Sequence, residues 1–290
     1  YVYAGVAARA ARGLESRDAE LAEVYRESAL RAMRWAEDHF DGGEDYPHAV
    51  NDDRNLAAAE MFRLTGDPEW HELFLATTVF KDPEADLFVW RDHEQREAAW
   101  VCARTDRLGT DRPVQANCRA ALLREADGRA ASCERTGFRW AKYEWQPAAW
   151  GVFSAPDAVT LVRAHVLTGD AKYLRAAVLA CQAGAGANPV NMCYTTGLGH
   201  QSPQHPLHID SRITHQPPPP GLTVGGPIDV ESHKDYWAQK IVAQYCYPPV
   251  QQWPTLEAYW DVFWYPPMCE YTVQTPMARN AYVWGYLAAR

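Results

Sequence analysis

Two short stretches, FRLTGDPEW at 62–70 and HVLTGDAKY at 165–173, are built alike. In each, a glycine (Gly66, Gly169) can take the left-handed conformation that ends a helix, and the next aspartate (Asp67, Asp170) can accept a backbone N–H at the start of another. Pro68 stands at the first helical position of the first copy, where a missing N–H does no harm. Ala-rich runs precede both corners (NLAAAEMF, DAVTLVRA), and aromatic and aliphatic runs follow (WHELFLATTVF, YLRAAVLACQ). That is the pattern of antiparallel helices packed through small side chains, and it commits the chain to helical hairpins.

The rest of the sequence extends this reading. Leu21, Val24, Tyr25, Ala29, Ala32 and Trp35 recur at helical spacing within 17–40, and further helices fit 93–105, 113–133, 233–246 and 276–290, the last with Thr275 as N-cap and Pro276 at its first position. The opening YVYAGVAARAARG, with apolar residues at Val2, Val6 and Ala10, reads as the interior of a helix with no N-cap before it. No repeat of solenoid period is present, so the expectation is an all-α toroid of helical hairpins. Such a ring must close, and too few helices are countable to close it. The expectation is therefore that residues 1–290 are one portion of a single domain whose N-terminal hairpins precede Tyr1.

Bulk properties exclude several functions. A formal charge of −9 without a basic cluster argues against nucleic acid or an anionic membrane surface as partner. No run of apolar residues is long enough to span a bilayer, and the first residues lack the features of a signal peptide. The seven cysteines form no C-x-x-C pair and no zinc spacing, and their odd number argues against complete disulfide pairing.

Two segments refuse the helical pattern. One runs from about Gly186 to Val230 and is rich in proline and glycine; the other, Tyr247 to Pro267, sets five prolines among Trp253, Tyr259, Trp260, Phe263, Trp264 and Tyr265. Long irregular stretches with this aromatic content are ordered functional loops. The first carries His200, His205, His208 and His215, without the helical spacing or carboxylate partner of a zinc site; imidazole can hold sugar hydroxyls through one donor and one acceptor nitrogen, while loop histidines bonded to backbone are the plainer alternative. The second loop leads into PPMCEYTV, which puts Glu270 among Tyr265, Met268 and Tyr271. Apolar surroundings would raise its pKa, as a general acid requires; a solvated carboxylate near a helix start is the competing reading.

At these residues the chain resembles the catalytic module of glycoside hydrolase family 9, inverting cellulases built as an (α/α)6 barrel. The segment GANPVNMCYTTGLGHQSPQHPLH is similar to the family's G-x-N-P, S-Y-V-T-G-x-G and proline-histidine motifs, and PGLTVGGP follows at the expected distance. The LTGD corners, NDDRNLAAAEMF and KYEWQPAAWG also resemble family stretches in the family's order. Departures are specific. The family's Pro-His-His-Arg stands here as Pro206, Leu207, His208, Ile209, so His208 alone carries over, with Arg212 as the substitute for the arginine; its Asn-Glu stands as Cys269, Glu270; its Asp-Ala-Gly-Asp motif, which supplies the catalytic base, does not occur.

The resemblance implies a cellulase-like endo-β-1,4-glucanase with Glu270 as general acid and a base expected upstream of Tyr1; Asp52, Asp53, Asp210 and Asp229 are candidates for the base only in a complete chain. Substrate-binding candidates are His205, His208, Arg212, Trp145, Trp150, Tyr194 and Tyr265. The partner is an oligo- or polysaccharide, and the resemblance favours export. No cofactor is required, a structural calcium is compatible with the family, and no ligand set in the sequence marks an ion site. The altered Pro-Leu-His-Ile segment keeps open an exo-acting glucosidase or glucosaminidase; the missing base keeps open a chain that only binds glycan. A purely structural helical scaffold leaves both loops unexplained.

Overall fold

The structure is a computed structural model describing residues 1–42, 47–141 and 153–290. The described residues form two compact units, Tyr1–Glu125 and Ala126–Arg290.

The first unit holds α1 (Val2–Leu14), α2 (Ala19–Asp38), α3 (Pro47–Thr65), α4 (Pro68–Thr77), α5 (Arg96–Ala103) and the start of α6 (Arg112–Arg135). Asp18 caps α2 by accepting the Leu21 N–H at 3.0 Å. The helices pack through alanine, as the composition suggested, but through a different face. Ala4, Ala7, Ala8 and Ala11 of α1 and Ala22, Ala29, Met33 and Ala36 of α2 are buried, whereas Val2, Val6, Leu21, Val24 and Trp35 are exposed. Small side chains let backbones approach: a Cβ on Gly5 would lie 3.3 Å from Ala57 Cα of α3.

The corner between α3 and α4 is as the sequence reads. Gly66 has φ +76°, Asp67 accepts the Glu69 N–H at 3.1 Å, and Pro68 opens α4. A threonine adds a bond the sequence reading did not use: the Thr65 hydroxyl donates to Met61 C=O (2.9 Å) and accepts the Asp67 N–H (3.1 Å). The helix expected from 93 starts later, at Arg96. Residues His93–Glu94 are extended instead, paired with Phe88–Val89, and Asp52 accepts the Glu94 N–H at 2.6 Å. Those bonds hold the backbone straight until Gln95.

The second unit contains the rest of α6, then α7 (Val159–Thr168), α8 (Ala171–Gly184), α9 (Ile209–Thr214), α10 (Trp237–Ala243), α11 (Pro266–Cys269) and α12 (Ala278–Ala288). The α7/α8 corner repeats the first: Gly169 at φ +72°, Asp170 accepting Lys172 N–H at 2.9 Å, and Thr168 bridging Ala164 C=O and Asp170 N–H. α10 is shorter than the expected 233–246, because turns closed by Lys234 N–H to Glu231 C=O and Tyr236 N–H to His233 C=O precede it.

The last helix departs from expectation at its start. Thr272, not Thr275, caps it, accepting the Thr275 N–H at 3.3 Å, and Pro276 lies inside a wide first turn closed by Met277 N–H to Thr272 C=O. That wider loop asks no N–H of proline, so the helix begins before Pro276.

The two proline-rich loops are ordered and carry core. Ile228, Val230, Val250, Trp260, Tyr265, Met268 and Cys269 bury one cluster, and Phe153, Ala183, Tyr194 and Val224 a second. The two loops thus build the apolar floor on which residue 270 rests. No helix among the described residues is long and apolar enough to cross a membrane.

Candidate functional site

Glu270 follows the single turn of α11 with φ −70° and ψ 142°, its N–H bonded to Pro266 C=O at 2.9 Å. The first loop holds this segment along its whole edge. Leu207 N–H donates to Cys269 C=O (2.8 Å), Gly225 N–H to Glu270 C=O (2.9 Å) and Gly226 N–H to Met268 C=O (3.0 Å). The loop itself is closed by a short antiparallel ladder, with Thr196 N–H to Leu222 C=O, Val224 N–H to Tyr194 C=O and a 2.8 Å contact between the Thr195 and Thr223 hydroxyls.

This explains the GGP motif. A Cβ on Gly225 would lie 2.4 Å from Pro267 O and 3.3 Å from Met268 O, so only a residue without a side chain lets the loop reach the 267–270 segment. Met268 and Cys269, immediately before Glu270, are 0% exposed, and Glu270 itself is half-buried. Among the described residues no side chain bonds or pairs with the Glu270 carboxylate, which leaves its oxygens free for a ligand or a proton. Cys269 occupies the place of the family's asparagine; its thiol donates to Trp260 C=O at 3.1 Å, and burial pushes its pKa up to about 12, so it stays protonated.

The histidine loop lies beside this segment. His208 is the N-cap of α9: its Nδ1 faces the Ser211 N–H at 3.2 Å and the Ser211 hydroxyl at 2.7 Å, and Nε2 has no bond among the described residues. Its ring lies 6.2 Å from that of Tyr271, the residue after Glu270. Arg212 is exposed, its guanidinium 3.3 Å over the Phe263 ring, so it reaches toward the second loop. His205 is exposed, as are His200 and His215, and His215 takes the left-handed conformation that ends α9.

What fixes His205 is a residue the sequence reading passed over. Asp261 accepts the Gln204 N–H at 2.7 Å and the His205 N–H at 3.1 Å, while the Tyr259 hydroxyl donates to it at 3.3 Å. Burial raises the Tyr259 pKa well above its ordinary range, so it remains a donor. Asp261 thereby staples the two loops together. The signal was present in the sequence, since Asp261 is the one acidic residue between Glu257 and Glu270, but it stands in a run read only for its aromatic rings.

The remaining candidates lie elsewhere. Tyr194 and Tyr265 are each 0% exposed. Tyr194 packs edge-on against Phe153 and Tyr259, and the Tyr265 hydroxyl donates to Gln239 Oε1 at 2.8 Å, so both rings are core in this structure and present no open face to a sugar. Trp145 and Trp150 fall outside the described residues. Of the aspartates named as alternative bases, Asp52 has both oxygens engaged by Glu94 N–H and Gln95 Nε2. Burial and then the neighbouring Asp52 raise the pKa of Asp53, Asp210 is exposed, and Asp229 accepts the Glu231 N–H at 3.2 Å. Among the described residues no group of three or more His, Cys, Asp or Glu is arranged to hold a metal ion.

Comparison with known proteins gives the family and the fold class. Residues 2–248 match the profile described as Glycosyl hydrolase family 9; Glu270 lies past that span. The chain is 27% identical over 227 residues to a xyloglucan-specific endo-beta-1,4-glucanase, BoGH9A, of Bacteroides ovatus, covering 69% of this chain and 38% of that protein. It is 28% identical over 285 residues to Endoglucanase C of Cellulomonas fimi, covering 87% and 25%. Two solved structures superpose on 99% of the chain: the family 9 endoglucanase J30 (TM-score 0.80, 23% identity, 53% of that chain) and a thermostable endoglucanase from Alicyclobacillus acidocaldarius (TM-score 0.79, 24% identity, 54% of that chain). The chain therefore spans about half the length of those structures and less of the two sequence relatives. The likeness gives the fold class, the all-α class of the (α/α)6 barrel enzymes. With the profile matched over most of its residues, the chain belongs to glycosyl hydrolase family 9.

Proposed function

We propose that the chain is the acid-bearing portion of an inverting endo-β-1,4-glucanase, with Glu270 protonating the departing glycosidic oxygen. The observation that carries this reading is the attachment of the 268–270 segment by three backbone hydrogen bonds to the loop bearing His208, with the half-buried Glu270 carboxyl unpartnered among the described residues and Met268 and Cys269 before it fully buried. Inversion needs a second carboxylate about 6.5 to 9.5 Å away, with the attacking water between them. That base belongs to the family's Asp-Ala-Gly-Asp motif, which these 290 residues do not contain.

In this reading His208 donates from Nε2 to a sugar hydroxyl, and Arg212 and His205, on the same loop, are further sugar contacts. Water supplies the nucleophile, and no cofactor enters the reaction. Glu270 gives its proton to the leaving oxygen while the base takes one from water, so before the next turnover Glu270 must regain a proton and the base must lose one to solvent. Polysaccharide is the partner, and the protein acts outside the cell on it.

Proton NMR of the full-length protein acting on cello-oligosaccharides tests the proposal. Inversion releases the α-anomer first, which then mutarotates. A first-formed β-anomer contradicts it, and saturable oligosaccharide binding without any cleavage establishes a glycan-binding chain instead. Accumulation of glucose alone, from the first minutes, marks an exo-acting enzyme.

A further inference from the structure

The first unit holds a polar cavity of about 440 Å³ whose charged lining is Arg12, Glu15, Arg26, Arg63, Asp106 and Arg107. Four guanidinium groups face two carboxylates there, in a chain whose formal net charge is −9. Two of the arginines have internal work. Arg107 donates to the C=O groups of Arg63 and Leu64 at the end of α3 (2.9 and 2.8 Å), and Arg12 pairs with the buried Glu60, which also takes Arg9 at 2.6 Å.

Neither the Arg26 nor the Arg63 guanidinium has a hydrogen bond or ion pair among the described residues. Burial first, then the like charges of Arg12 and Arg104, lower the Arg63 pKa to about 10, with Glu60 and Asp106 opposing. Attraction to helix C-termini accounts for arginines in a last turn, as Arg12 and Arg63 are in α1 and α3. It does not account for Arg26, which sits in the first half of α2.

We propose that this cavity binds a tetrahedral oxyanion, phosphate or sulfate, either free or as the ester group of a sugar. Planar guanidinium forks match such oxygens two at a time, and Arg26 and Arg63, whose guanidiniums have no partner among the described residues, are the groups left to make those bonds. The volume leaves room for a monosaccharide attached to the ester.

Calorimetric titration of the full chain with sodium phosphate, sodium sulfate and glucose 6-phosphate, each against sodium chloride of equal ionic strength, tests the assignment. One saturable site is expected for the oxyanions and none for chloride. Arg63→Gln and Arg26→Gln are each expected to weaken binding about tenfold or more, one charge-assisted contact apiece, with unchanged far-UV circular dichroism. Glucose 6-phosphate binding more tightly than inorganic phosphate assigns the site to a sugar ester; equal or weaker binding assigns it to the free ion. No saturable binding, or the same affinity in both variants as in the parent, overturns the proposal.

Discussion

Replacing Gly225 by alanine tests how the acid is positioned, because the backbone there suits any residue and only space forbids a side chain. The added Cβ would lie 2.4 Å from Pro267 O, against an ordinary contact of at least 3.4 Å, so one of the two segments must move by about 1 Å. Overpacking of this kind typically costs about 1 to 3 kcal/mol. For a unit of this size that lowers the melting temperature by roughly 2 to 12 °C. The functional effect is larger than the stability effect, since Glu270 C=O is bonded to Gly225 itself and a displacement of about 1 Å at a reacting group can reduce turnover by about 10²-fold. Calorimetry on the chain and initial rates on cello-oligosaccharides with the full-length protein measure the two effects. Gly285→Ala is the control: it lies in α12 with nothing within 4 Å of its Cβ position, and helix propensity favours alanine there by about 0.5 to 1 kcal/mol. If Gly225→Ala melts and turns over like the parent, the contact between the GGP motif and the acid segment does not position Glu270.

Three further predictions address other links. Asp261→Ala removes the acceptor for the Gln204 and His205 N–H groups, so KM for oligosaccharide rises more than kcat falls, with Asp261→Asn intermediate; steady-state kinetics that do not distinguish the two variants from the parent refute the staple. Asp67→Ala and Asp170→Ala each lose an N-cap and destabilise by about 1 kcal/mol, checked by urea denaturation, and equal effects are expected because the corners are built alike. His71 accepts the Asp111 N–H at 2.8 Å through Nε2, and burial lowers its pKa below the ordinary value of about 6.5. Since the unfolded chain takes up that proton first, this contribution is full above pH ~6.5 and is lost as the pH falls through the lower folded value. Melting curves between pH 7.5 and 5, on the order of the histidine range, should converge for the parent and His71→Gln as the pH drops.

The parts of the fold legible in the sequence were those set by local chemistry. Gly66 and Gly169 with their capping aspartates fix helix ends through φ and one hydrogen bond, and both corners are where the sequence puts them. The faces of α1 and α2 were misread for the opposite reason. Periodicity alone cannot say whether large or small residues turn inward, and here close packing between helices selects alanine while Leu21, Val24 and Trp35 stay exposed. At the site, the sequence identified the two loops and their histidines, but the bonds joining them run between residues dozens of positions apart, such as Gly225 to Glu270 and Asp261 to Gln204. Tyr194 and Tyr265 illustrate the same limit, since an aromatic ring in a loop can floor a cleft as readily as line it, and burial alone decides.

The proposal that Glu270 donates the proton is tested most directly by a comparison of leaving groups. In the full-length protein, Glu270→Gln should lower kcat on cello-oligosaccharides by about 10² to 10⁴-fold, the usual contribution of a general acid, while leaving their binding unchanged. On dinitrophenyl cellobioside, whose leaving group departs without protonation, the same variant should retain most of the parent's rate. Equal losses on both substrates, or near-parental activity on the oligosaccharide, would contradict Glu270 as the acid.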